Sequence, residues 1–62
     1  MDSREIIRQL LAAGWYLVET KGDHHQFKHP TIPGRVTVPH PKKDIPPGTL
    51  ASIRRQSGLK LR

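Results

Sequence analysis

Four histidines stand at positions 24, 25, 29 and 40 of a 62-residue chain that has no cysteine. Imidazole is the side chain best suited to exchange protons near neutrality, since its ordinary pKa is about 6.5. With a ribose 2′-hydroxyl as its target, such a base permits RNA cleavage without a metal. The base removes the hydroxyl proton, the oxygen attacks the adjacent phosphorus, and a lysine or arginine offsets the charge that builds on the phosphate oxygens. DNA lacks the 2′-hydroxyl, so the chemistry itself selects RNA. Zinc is a poorer use of these rings. His25 and His29 have a spacing known from zinc fingers, but no cysteine pair accompanies them and their neighbours read as strand. No metal or other cofactor is expected, and no phosphate-binding glycine loop or serine nucleophile signature is present.

Which ring faces outward depends on the elements that carry it. Ile6, Ile7, Leu10 and Leu11 share one face of a helix over about residues 3–13, with Asp2 or Ser3 as cap, Glu5 at capping-box spacing and Gly14 as stop. Trp15 to Thr20 is aromatic and β-branched and predicts a strand, followed by a turn at Lys21-Gly22-Asp23. His24 to His29 makes a second strand, Pro30 to Gly34 a loop, and Arg35 to Pro39 a third strand ended by proline. After a basic connection from His40 to Asp44, Pro46-Pro47-Gly48-Thr49 opens a second helix. Leu50 and Ile53 face the core, Gly58 ends the helix with Leu59 folding back, and Lys60-Leu61-Arg62 reads as a loose tail.

The order is α-β-β-β-α in one domain over residues 1–62: an α+β fold with a three-stranded antiparallel meander and both helices on one face. Strand alternation then sorts the histidines. Phe27 is the only large apolar residue of the second strand and points to the helices, so His25 and His29 share its side near the core's edges. Those two fit hydrogen-bonded or rim residues. His24, Gln26 and Lys28 project from the open face, making His24 the candidate catalytic base, although an ordinary exposed strand histidine would look the same. His40, held between Pro39 and Pro41, is a candidate auxiliary that reaches the open face from the end of the third strand, or a plain loop histidine.

Charge supplies the substrate class. Eleven Lys and Arg against five acids give +6, which suits a polyanion, nucleic acid or an acidic protein. Lys21, Lys28, Arg35, Lys42 and Lys43 are the candidate phosphate contacts. No apolar run approaches the roughly 20 residues of a membrane span, and Arg8 and Gln9 interrupt the N-terminal apolar stretch, so neither a span nor a signal peptide is expected. The absence of cysteine fits a reducing cytoplasm.

Gly14-Trp15, Gly22-Asp23-His24-His25, Val36-Thr37-Val38-Pro39, Pro47-Gly48-Thr49-Leu50 with Ile53, and Gly58-Leu59 together resemble the HicA toxin family, over about residues 3–59. The resemblance implies a double-stranded-RNA-binding-domain-like fold. It also implies the toxin of a toxin–antitoxin pair, a ribosome-independent mRNA interferase whose catalytic histidine maps onto His24. The implied partners are mRNA and a HicB antitoxin that covers the active face in a hetero-oligomer. Two positions depart from the family pattern: Asp23 where serine is usual, and Glu19 where a basic residue is common. Two carboxylates near the base would repel phosphate, while Asp23 could instead cap the turn and orient His24 as an auxiliary. Two other readings of the same surface are a non-catalytic RNA-binding module and a structural subunit for an acidic protein.

Overall fold

The computed structural model describes residues 1–61. Helix α1 spans Ser3–Ala12 and starts as its sequence dictates, with the Asp2 carboxylate accepting from the Arg4 N–H at 2.8 Å. The capping box is only half made, because the Glu5 carboxylate turns along the helix to Arg8 and Gln9. Strands β1 (Tyr16–Lys21), β2 (His24–Lys28) and β3 (Val36–Pro39) follow, and α2 (Pro47–Ser57) closes the α-β-β-β-α order. The expected α+β class is therefore present, as an antiparallel sheet with strand order β1-β2-β3.

Strand β1 begins one residue later than the aromatic run suggests. The Trp15 N–H bonds to the Leu10 carbonyl at 3.0 Å, so Trp15 closes the helix and buries its side chain before the sheet begins. Between β1 and β2 lies a two-residue turn, Gly22-Asp23. A φ of +60° at Gly22, with no positive φ at Asp23, matches a type II′ hairpin turn, whose twist suits the flanking strands. This turn sets the register Lys21 opposite His24.

Ile6 and Leu10 of α1 and Ile53 of α2 pack with Phe27, Val36 and Val38, so both helices cover one sheet face as expected. The helices lie over β3 and leave β1 exposed along its whole length. Leu17, opposite Phe27 and followed by a bulge, keeps 48% of its surface in solvent. Two connections close the core in ways the sequence pattern hides. Ile45 is buried, and its N–H bonds to the Met1 carbonyl at 2.9 Å. The tail expected to be loose is not so at Leu61, which is 1% exposed and whose carbonyl accepts from Arg54 Nε at 2.9 Å. Arg62 lies outside the described residues.

The joint between α1 and the sheet rests on Gly14 and His29. His29 Nε2 donates to the Ala13 carbonyl at 3.0 Å, while its Nδ1 accepts from the N–H groups of Thr31 and Ile32. Gly14 has φ +96°, and a Cβ there would lie 3.0 Å from His29 Nε2. Gly14→Ala is therefore expected to destabilise the domain by about 1–3 kcal/mol, from left-handed strain plus displacement of the ring. Urea unfolding of the two proteins measures it, and equal midpoints would sink this account of the joint.

Candidate functional site

The open face of the sheet is built by the alternation of β2. Phe27 goes down into the core, and His24, Gln26 and Lys28 stand on the opposite face. His24 sits at the start of β2 against the hairpin turn, with Lys21 opposite on β1 and Pro39 opposite on β3. Its side chain is 60% exposed and makes no hydrogen bond among the described residues. The nearest charged atom is Asp23 Oδ1, 3.6 Å from Nε2, which is ion-pair range but too long for a hydrogen bond. The ring is thus open to a substrate, with a carboxylate beside it and a lysine across the strand pair. Lys21 has no ion-pair partner among the described residues, so its ammonium is available to a phosphate.

The other predicted phosphate contacts do not converge on His24. Lys28 is at the far end of β2, four residues or roughly 13 Å along the strand, and would meet a different part of a bound polymer. Arg35 Nη1 lies 3.4 Å from Glu19 Oε1 and donates to Gln26 Oε1 at 3.1 Å. That pair answers the concern raised by Glu19. Its charge is met by Arg35, at the cost of engaging the guanidinium that was expected to hold phosphate. Lys42 and Lys43 lie beyond β3, beside His40.

His40 does not reach the open face. Its Nδ1 is 2.7 Å from the buried hydroxyl of Ser3, and its ring stands edge-to-face against His25 at 4.9 Å, on the helix side. The Ser3 hydroxyl also accepts from the Lys42 N–H at 2.9 Å, which fixes this loop on the start of α1. Its backbone N–H still touches the candidate site, donating to the Asp23 carbonyl at 2.7 Å. His29 takes the hydrogen-bonded role expected of it, holding α1, whereas His25 is half-buried against His40 and its buried Nδ1 has no hydrogen-bond partner among the described residues. No pattern along the chain announces that Arg4 stands beside Lys42 and Lys43. That follows only from docking the 40–46 loop on α1, through the Ser3 N–H to the Lys42 carbonyl at 2.9 Å.

A small basic α+β domain that offers one exposed histidine on a helix-free sheet face, at a hairpin turn and opposite a lysine, is the class defined by this fold and site. The family model for the HicA toxin of bacterial toxin–antitoxin systems matches residues 3–59, so the chain belongs to the HicA toxin family. The family places it as the toxin half of such a pair, with an antitoxin as its kind of partner. No curated protein matches the chain. Among the described residues, no helix is long and apolar enough to cross a membrane.

Proposed function

We propose that the chain is a metal-independent endoribonuclease, an mRNA interferase acting in the cytoplasm, with His24 as its general base. The observation that carries this reading is the placement of His24, exposed on the open face with Lys21 directly opposite and Asp23 Oδ1 at 3.6 Å. The imidazole takes the 2′-hydroxyl proton, the 2′-oxygen bonds to phosphorus, and the bond from phosphorus to the 5′-oxygen breaks. The leaving 5′-oxygen takes a proton from water, to which the face is open, and the imidazolium returns its proton to solvent. Lys21 offsets charge on the phosphate oxygens. The products are a 2′,3′-cyclic phosphate and a 5′-hydroxyl. A HicB-like antitoxin inhibits by covering the open face.

Incubating the purified protein with RNA in EDTA tests the reading. Cleavage with cyclic-phosphate termini is expected, together with full resistance of an RNA carrying a 2′-deoxy substitution at the cut site. Cleavage at the deoxy position would sink the 2′-hydroxyl mechanism. A second reading, a non-catalytic RNA-binding module, is favoured by one feature: no hydrogen bond orients the His24 ring among the described residues. It predicts salt-dependent binding with no cleavage in the same tubes.

A further inference from the structure

The strongest basic cluster outside the His24 site surrounds a cavity of about 310 Å³ lined by Asp2, Arg4, His40, Pro41, Lys42 and Lys43. Three permanent cations face one carboxylate there. The helix end itself offers nothing to a ligand, because its first amides are taken. Ser3 N–H goes to the Lys42 carbonyl, Arg4 N–H to the Asp2 side chain, and the N–H groups of Glu5 and Ile6 to the Asp2 carbonyl. Any anion would therefore be held by side chains. The Arg4 side chain is 78% exposed and paired only with Asp2, at 3.3 Å, while Lys42 and Lys43 have no ion-pair partner among the described residues.

His40 is prepared for the same task. The Ser3 hydroxyl accepts from the Lys42 N–H, and His40 Nδ1 is the acceptor within reach of its single proton. A buried hydroxyl left without an acceptor is costly, so the satisfied arrangement has Ser3 donating to Nδ1. The ring proton then resides on Nε2, so the His40 ring, which belongs to a residue lining the cavity, carries a donor.

The cavity is one residue from the site already described. Pro39 is opposite His24 in the register, and the His40 N–H is bonded to the Asp23 carbonyl at 2.7 Å. His24 and Lys21 occupy one side of this sheet edge, and Arg4, Lys42 and Lys43 the other. We propose that the cavity is a second phosphate subsite, holding an RNA phosphodiester next to the one cleaved as the strand crosses the end of β3. This rests on reading the protein as RNA-acting, and it makes Arg4, His40, Lys42 and Lys43 substrate-positioning residues.

Asp2 is the counterweight. The Arg4 N–H, and secondarily the Arg4 guanidinium, hold its carboxyl below the usual carboxylate range, so it is ionised at neutral pH and opposes any bound phosphate. Asparagine caps a helix about as well as aspartate, so Asp2→Asn removes that charge and keeps the cap.

The test is binding of a fully 2′-O-methylated single-stranded RNA, which has no free 2′-hydroxyl to react, measured across a salt series. Lys42→Ala/Lys43→Ala is expected to weaken binding and to flatten the log–log salt slope by about 0.7 for each phosphate that is no longer neutralised. Asp2→Asn is expected to tighten binding, and Lys60→Ala, in the exposed C-terminal segment, to leave the slope at its wild-type value. The proposal is overturned if the double variant keeps the wild-type slope, if Lys60→Ala flattens it equally, if Asp2→Asn binds no tighter, or if the wild type does not bind. Cleavage is read separately on unmodified RNA. A wild type that binds with the expected pattern but cuts nothing defeats the nuclease reading and leaves the subsite standing. One that cuts while the double variant keeps its slope does the reverse.

Discussion

His24→Ala is expected to lower RNA cleavage by about 10²–10⁴-fold, the usual worth of a positioned general base, and to abolish growth arrest while leaving the fold intact. The stability half of this expectation follows from the geometry. The side chain is 60% exposed, it makes no hydrogen bond among the described residues, and its ion-pair neighbour there is the exposed Asp23 carboxylate at 3.6 Å. Surface substitutions of this kind move stability by no more than about 0.5 kcal/mol. The activity half follows from replacement being impossible nearby. His25 points to the other face, His29 is bonded to Ala13, and His40 is turned to Ser3, so no second imidazole can take over the proton. Thermal unfolding and a cleavage assay on the same preparation decide it. A folded His24→Ala protein that cuts RNA and arrests growth like wild type would overturn the assignment.

The direction of His24 is legible in the sequence because β2 carries a single large apolar residue, and Phe27 alone orients the whole strand. The same logic separates His24 from His25 and places the helices on the far face. Asp2, Gly14 and Gly58 mark helix ends correctly because capping and left-handed backbone are local requirements. What sequence does not show is set by contacts between distant segments. His40 is drawn to the helix side by Ser3, 37 residues earlier, and nothing in the pattern around either residue announces that pair. Leu61 stands between Lys60 and Arg62, and Ile45 between Asp44 and Pro46, so no periodicity marks them as core. On β1, Leu17 lies opposite the buried Phe27 yet keeps 48% of its surface in solvent, because burial also depends on where along the sheet the helices lie, and they lie over β3. The candidate phosphate contacts scatter for the same reason. Lys21 is beside His24 through local hairpin register, whereas Lys42 and Lys43 meet Arg4 only after the loop docks on α1.

Phe27→Ala is expected to remove the folded state, and with it every activity of the open face. Phe27 is 1% exposed and lies on β2, the central strand, where it faces Leu17 on β1 and Val36 on β3. Truncating a buried phenylalanine costs about 3–5 kcal/mol, since the missing burial is compounded by the cavity left behind. At roughly 0.05–0.15 kcal/mol per residue, a domain this small has only about 3–9 kcal/mol in total, and no disulfide supplements it. Refilling the space is unlike repacking a larger core, because the opposite wall is formed by single residues, Ile6, Leu10 and Ile53, on helices held elsewhere by the same cluster. Phe27→Leu, which keeps most of the volume, should unfold at an intermediate denaturant concentration with its cleavage intact below that point. The contrast with His24→Ala is the informative part. Three residues apart on one strand, one substitution should silence the chemistry and leave the circular dichroism spectrum unchanged, while the other should lose both together. A Phe27→Ala protein within about 1 kcal/mol of wild type in urea would mean that the sheet is held by something other than the core described, and that the orientation of β2 does not rest on Phe27.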